Sequence, residues 1–380
     1  MRPQIHFLPG STPDNSRSLQ SLHFGLAQSG KKTYIQASLH ADEIPGMLVA
    51  QHLREALLAL EAAGKIPGEI VLVPVANPIG LAQTIHGQRF GRFDLASGIN
   101  FNRGYRNLLP QLIDKLEGQL GLDANANVHL IRQSALALLD QWQPLNDGDS
   151  LKKILQTLAI DADILLDLHC DNDAVLHLYS GTPLQSAVQP LACHLQARAV
   201  LLSKESGDDP FDESCSRLWW ELAAHFAQAA TSAGAPVPAI PNACLAMTLE
   251  LRGEVDVTHE FAASDANAIL AFLTHQGHIL GDKLPLPAPA CTPTPLEGVE
   301  PLRAASAGIV VYHKALGSIV AAGEQIAELI DPLTGSSTPV CASVGGLLFA
   351  RSACRYAQRG MNLGKIAGSV PWRSGKLLSE

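Results

Sequence analysis

The chain has 380 residues, 47% of them hydrophobic and 17% charged, with Lys+Arg 27 against Asp+Glu 36. This is a globular composition with ample core and enough length for two domains. A formal net charge of −9 argues against nucleic acid and anionic membrane surfaces as main partners.

The first ten residues, Met1 to Gly10, hold no long apolar stretch and no small-residue cleavage site, so no signal peptide is expected. No uncharged run approaches the ~20 residues of a membrane helix. From about residue 1 to 275 the pattern alternates strands and helices. Strands are predicted at 33–39, 69–76, 162–168, 175–179, 199–202 and 246–251. Helices are predicted at 46–63, 107–120, 126–142, 150–159, 183–195, 214–232 and 264–275. Strands separated by helices imply an α/β fold with a mixed, mostly parallel sheet covered on both faces. In such folds ligands gather at the carboxyl ends of strands.

Residues 283–301 change character. Proline recurs every few positions, which marks a linker or a domain edge. The remainder, 302–380, reads as short strands with glycine turns. Ala307-Gly-Ile-Val-Val-Tyr and Val344-Gly-Gly-Leu-Leu-Phe form a quasi-repeat. It resembles the small all-β barrel-sandwich of biotinyl/lipoyl carrier domains. Those carriers present a modified lysine between the halves, whereas the corresponding hairpin here, Ile330-Asp-Pro-Leu-Thr-Gly-Ser-Ser, has none. A structural or gating module is therefore expected. The expected organisation is 1–282 catalytic, 283–301 linker and 302–380 β-sandwich. The seven cysteines, at 170, 193, 215, 244, 291, 341 and 354, are odd in number, irregularly spaced and without a Cys-x-x-Cys pair. Reduced thiols in a cytoplasm fit, and a cysteine zinc site does not.

The chemistry concentrates at strand ends. The stretch Tyr34-Ile-Gln-Ala-Ser-Leu-His40-Ala-Asp-Glu43 ends an apolar run in a histidine, with a glutamate three positions on. That spacing lets an imidazole and a carboxylate close on one metal ion. Its bland alternative is a polar loop whose Glu43 favours a helix start. A second apolar run ends in His169, which is otherwise a buried structural histidine. Two His and one Glu leave an open position on zinc, the arrangement of a hydrolytic site. Asp42 is a candidate to orient a ligand or simply caps the helix, and Asp171 and Asp173 are candidates to orient the ligands or are merely turn residues. His177 reads as a strand histidine. Glu250 lies in an apolar strand, where a carboxylate is costly unless paired or used. It is either a salt-bridge partner of Arg252 or another cation, or a general base. Arg89, Arg92, Asn102 and Arg103 share one long loop. There an arginine can stabilise an oxyanion, and Asn-Arg can grip a carboxylate, unless these are solvated loop charges. The acidic loop 205–213 either accepts a cationic substrate or is simply solvated.

His40-x-x-Glu43, Asn77-Pro78, Asn102-Arg103, Asp167-Leu-His169 and Thr248-Leu-Glu250 occur in the order used by zinc carboxypeptidase-like hydrolases. The chain resembles the succinylglutamate desuccinylase/aspartoacylase branch over about residues 30–275, and its C-terminal module resembles bacterial members. The resemblance implies one zinc per chain held by His40, Glu43 and His169, with Glu250 as general base and acid. It implies Asn102 and Arg103 as carboxylate binders and an arginine polarising the scissile carbonyl. Arg92 is chosen for that role by its distance to Asn-Arg; Arg89, which fits the spacing to Asp94, stays open. The expected activity is deacylation of an N-acylated amino acid. An exopeptidase acting on peptides or on an isopeptide polymer such as cyanophycin is the alternative enzyme. A non-catalytic binding protein that kept the fold is the alternative of another class. Small molecules or short peptides are the expected substrates, and a homo-oligomer is compatible with the sequence.

Overall fold

The computed structural model describes residues 1–9, 16–27, 29–371, 373–375 and 377. Its centre is a nine-stranded mixed sheet. In spatial order the strands are Arg2–Leu8, Arg17–Gly25, Glu69–Val73, Lys32–Ala37, Ile164–Asp171, Leu245–Gly253, His177–Gly181, Ala199–Ser203 and Thr294–Pro295. The four strands from Glu69–Val73 to Leu245–Gly253 run parallel. His177–Gly181 pairs antiparallel to Leu245–Gly253, and Arg17–Gly25 antiparallel to Glu69–Val73.

The central strands are apolar on both faces, as strands covered by helices must be. Ile164, Leu166, Leu168, Met247, Leu249 and Leu251 pack with helices Pro45–Ala62, Gln185–Leu195 and His259–His275. Leu165 and Ala246 point the other way. They pack towards helices Leu109–Leu116, Ala124–Gln141, Asp147–Ala159 and Phe211–Ala233. The strand period of two therefore puts Asp167, His169 and Asp171 on the Leu165 face, and Thr248 and Glu250 on the Ala246 face. These are one and the same side of the sheet.

Every helix and strand expected up to residue 275 is present, with ends shifted by a few residues. The strands Arg2–Leu8 and Arg17–Gly25 were not expected. They form an antiparallel pair at the sheet edge. After the helices, the chain builds two antiparallel sheets that share a core including Leu302, Ile326, Leu329, Leu348 and Ile366. The proline-rich segment does not stay apart from either unit. Thr294–Pro295 joins the large sheet beside Ala199–Ser203, and Val299–Arg303 pairs with Asn362–Gly368. The two units are also sewn together by strand pairing of Asp173–Ala174 with Ala350–Arg351. No helix among the described residues is long and apolar enough to cross a membrane.

Candidate active site

The register of the parallel strands sets the site. Glu250 lies directly opposite His169, and Thr248 opposite Asp167. His40 arrives from the neighbouring strand Lys32–Ala37, through a loop in which Ser38 takes a left-handed φ of 65°. Asn77 steadies that loop. Its Nδ2 donates to the Leu39 carbonyl at 2.9 Å, while its Oδ1 accepts from Gly80 N and so caps the short helix Pro78–Leu81.

His40, Glu43 and His169 are all buried, and one ligand atom of each lies within 4.8 Å of the other two. His40 Nδ1 is 2.9 Å from Glu43 Oε1, and His169 Nδ1 is 2.7 Å from Glu43 Oε2. The outer nitrogens face acceptors. His40 Nε2 lies 2.8 Å from Asn100 Oδ1. His169 Nε2 lies 3.0 Å from Asp167 Oδ2, although neither atom completes a well-aligned hydrogen bond. A carboxylate or amide behind each imidazole is how metal-binding histidines are oriented. Asp167 is itself fixed by Gln36 Nε2 at 2.9 Å, and Gln36 by the Tyr34 hydroxyl at 2.8 Å. Cys170 N donates to Glu43 Oε2 at 3.0 Å.

The charges match this donor set. Burial opposes ionisation of Glu43, but His40 and His169 outweigh it and hold its carboxyl well below the usual range. Burial would lower His169, yet Asp167 and Glu43 raise it well above 6.5. Burial, helped by Arg92, lowers His40 and favours its neutral form. The cluster thus gathers two imidazoles and an anionic carboxylate, a borderline-soft N₂O set that fits zinc.

Around the cluster lies a cavity of about 80 Å³ whose walls include Arg92, Asn102, Arg103, Asp212, Glu250 and Lys365. Glu250 Oε2 is buried there without a hydrogen-bond partner among the described residues. Burial pushes its carboxyl up to about 8, with Glu43 acting in the same direction. The pairing of Glu250 with Arg252 does not form, while the cations that act on Glu250 are Lys365 and Arg92. Arg252 instead grips Asp265 through Nη1 and Nη2 at 2.8 and 3.0 Å.

Arg92 Nη2 donates to Glu43 Oε1 at 3.1 Å and faces the cavity. Burial works to lower its pKa, but Glu43, Glu250, Asp171 and Asp42 raise it. Gly91 brings it there. Ala41 N donates to the Gly91 carbonyl, and a Cβ on Gly91 would sit 2.2 Å from Asp42 N. Arg89 lies outside, exposed on the strand Gln88–Arg89. Asn102 accepts Phe211 N at its Oδ1, 2.9 Å away, which ties the arginine loop to the start of helix Phe211–Ala233. Arg103 lines the cavity, where burial lowers its pKa and Arg92 adds to the effect.

His177 is a buried strand histidine, 2.8 Å through Nδ1 from the Val175 carbonyl and outside the cluster. Asp42 accepts Gly91 N, Asp171 pairs with Lys365 Nζ, and Asp173 takes Arg351. None of the three hydrogen-bonds a candidate ligand. Asn100 Oδ1 instead lies in hydrogen-bond range of His40 Nε2, and Asp167 Oδ2 stands as an ion-pair partner 3.0 Å from His169 Nε2. Asp167 is legible in the sequence only through the Asp167-Leu-His169 motif, and Asn100 carries no sequence signal. The acidic loop is largely self-satisfied. Arg217 binds Glu205 and Asp209, while Glu213 accepts Ser206 N. Only Asp212 and Glu213 of its acids reach the cavity; burial raises Asp212, and it takes Glu213 to about 7.

Residues 29–125 match the model of the succinylglutamate desuccinylase/aspartoacylase catalytic domain. No curated protein matches the chain in sequence. Among solved structures, a succinylglutamate desuccinylase/aspartoacylase family protein from Shewanella amazonensis SB2B is 26% identical with a TM-score of 0.83, covering 97% of this chain and 98% of that one. A second, from Shewanella frigidimarina NCIMB 400, is 24% identical with a TM-score of 0.81, covering 97% of both chains. The ectoine utilization protein EutE (DoeB) from Ruegeria pomeroyi shares the fold at 16% identity and a TM-score of 0.66, over 96% of this chain and 95% of that one. The resemblance to the succinylglutamate desuccinylase/aspartoacylase family, whose two names are those of deacylases, is thus carried by sequence over residues 29–125 and by fold over nearly the whole chain.

Proposed function

We propose that this chain is a zinc-dependent hydrolase that cleaves the amide bond of an N-acylated amino acid. The observation that carries the reading is the buried His40–Glu43–His169 cluster with an unpartnered Glu250 oxygen in the same cavity. Zinc held by His40, Glu43 and His169 would supply a Lewis acid and bring the pKa of water near neutrality. Glu250, already raised towards neutral pH, takes the proton from the attacking water and returns it to the departing amine nitrogen. Arg92 donates to the oxyanion that develops on the carbonyl oxygen. Arg103, with Asn102, holds the substrate carboxylate. In this reading residues 1–282 are the catalytic domain, and 302–380 a β-sandwich domain whose 330–337 hairpin has no lysine.

The test is a screen of N-acetyl and N-succinyl amino acids and short peptides with zinc-loaded protein, following amine release. Release from acyl amino acids with stoichiometric zinc is expected. Release from peptides alone would transfer the reading to an exopeptidase. A purified chain that binds no zinc, or that releases no amine from any acyl amino acid, overturns it.

A further inference from the structure

The β unit after residue 294 sends one charged side chain into the catalytic cavity. Lys365, on the strand Asn362–Gly368, lines that cavity and forms an ion pair with Asp171. Asp171 lies two residues after His169 on the same strand, so both side chains project from the same face. It lines the cavity too and acts electrostatically on Arg92 and Glu250. A carboxylate is in general a possible zinc ligand. Yet the cluster of potential ligands among the described residues comprises only His40, Glu43 and His169.

The rest of the contact reinforces the arrangement. Asp173 and Ala174 pair as a strand with Arg351 and Ala350, and Val175 N donates to the Phe349 carbonyl at 2.9 Å. Arg351 reaches Asp173 Oδ2 with Nε at 3.0 Å and Nη2 at 2.6 Å. The chain just beyond His169 is therefore held by the C-terminal unit through backbone and charge together.

We propose that Lys365 is a positioning residue that restrains Asp171 and keeps it from becoming a fourth protein ligand. A hydrolytic zinc site needs three protein ligands and an open position, whereas four protein ligands make a closed, structural one. The C-terminal unit would then be part of the site's design without being a carrier. The inference rests on the metal reading above, and its test separates the two.

The test uses the full chain loaded with Co²⁺ in place of zinc, whose visible absorption reports coordination without any substrate. Lys365→Met removes the charge and keeps most of the length. It is expected to retain one metal, change the cobalt spectrum and lower kcat by about ten- to a hundredfold, the usual cost of losing a group that orients a metal site. Lys365→Arg should preserve the native spectrum. Adding Asp171→Asn to Lys365→Met should restore both spectrum and turnover, because an amide oxygen is a much poorer metal ligand than a carboxylate. A native cobalt spectrum in Lys365→Met overturns the proposal, as does failure of Asp171→Asn to restore it. If the wild-type chain binds no cobalt, the metal reading falls and takes this inference with it. If the spectra behave as expected but no acyl amino acid is cleaved, only the deacylase reading falls.

Discussion

Replacing Glu250 by glutamine probes the electrostatics of the site without a substrate. Burial, with Glu43 acting in the same direction, raises this carboxyl from 4.5 to about 8 in the folded chain. A carboxyl whose folded pKa exceeds its unfolded value binds its proton more tightly when folded. Its favourable contribution is complete below about 4.5 and is lost as pH rises towards 8. Across that interval, at about 1.36 kcal/mol per pH unit, the ceiling is about 5 kcal/mol. Glutamine has nearly the same shape and no charge to desolvate. Metal-free Glu250→Gln, prepared with a chelator, should melt with the wild type near pH 4.5 and progressively above it towards pH 9. Thermal melts by circular dichroism across that range provide the assay. A difference in Tm that does not grow with pH would refute the account of a buried, uncompensated carboxyl. In the zinc-loaded chain the same variant should keep its metal and lose about 10²–10⁴-fold in kcat. Near-normal turnover would remove Glu250 from proton transfer.

Three further outcomes follow from contacts of the site. Arg92→Ala should lower kcat by about 10²–10³-fold if Arg92 stabilises the oxyanion, while the exposed Arg89→Ala should stay near wild type; steady-state kinetics giving the reverse order would move the role to Arg89. Asp167→Asn should weaken zinc binding or lower activity by about 10–100-fold, because Asp167 stands behind His169 Nε2; chelator competition measures the binding, and unchanged affinity and turnover together would dismiss that support. Gly91→Ala should destabilise by about 1–3 kcal/mol through overpacking against Asp42 N; an unshifted denaturation midpoint would show that the loop gives way freely.

The central strands were legible because Lys32–Ala37 and Ile164–Asp171 are near-continuous buried runs bounded by turn residues. Arg2–Leu8 gave no such signal. It is an edge strand, mostly exposed, with Pro3 inside it, so burial does not pattern its sequence. The candidate ligands were legible because His40 and His169 end apolar runs. Their partners were not. Gln36 is one of several polar residues in a buried strand that also holds Lys32 and Thr33, and Asn100 sits in a loop without periodicity. Lys365 belongs to a different sheet, and its approach to Asp171 depends on how Asp173–Ala174 pairs with Ala350–Arg351. Local sequence carries no such register.

The charge arrangement explains why these residues belong to one site and not to several ordinary salt bridges. Glu43, Asp167, Asp171 and Glu250 crowd one side of the sheet end, and Arg92 and Lys365 are the fixed cations drawn to them. Metal-free, the balance is made up by protons. His169 is held protonated by Asp167 and Glu43, while Glu250 is driven towards its neutral form. A buried carboxylate oxygen without a hydrogen-bond partner costs about 1–3 kcal/mol, and Glu250 Oε2, Asp167 Oδ2 and Asp42 Oδ1 have none among the described residues. A divalent cation at the cluster would take over the balancing role of the His169 proton and favour the ionised form of Glu250. In the proposed reading a bound cation would thus leave His169 free to coordinate and Glu250 ready to accept a proton, so the candidate ligands and the candidate base would act as one electrostatic unit.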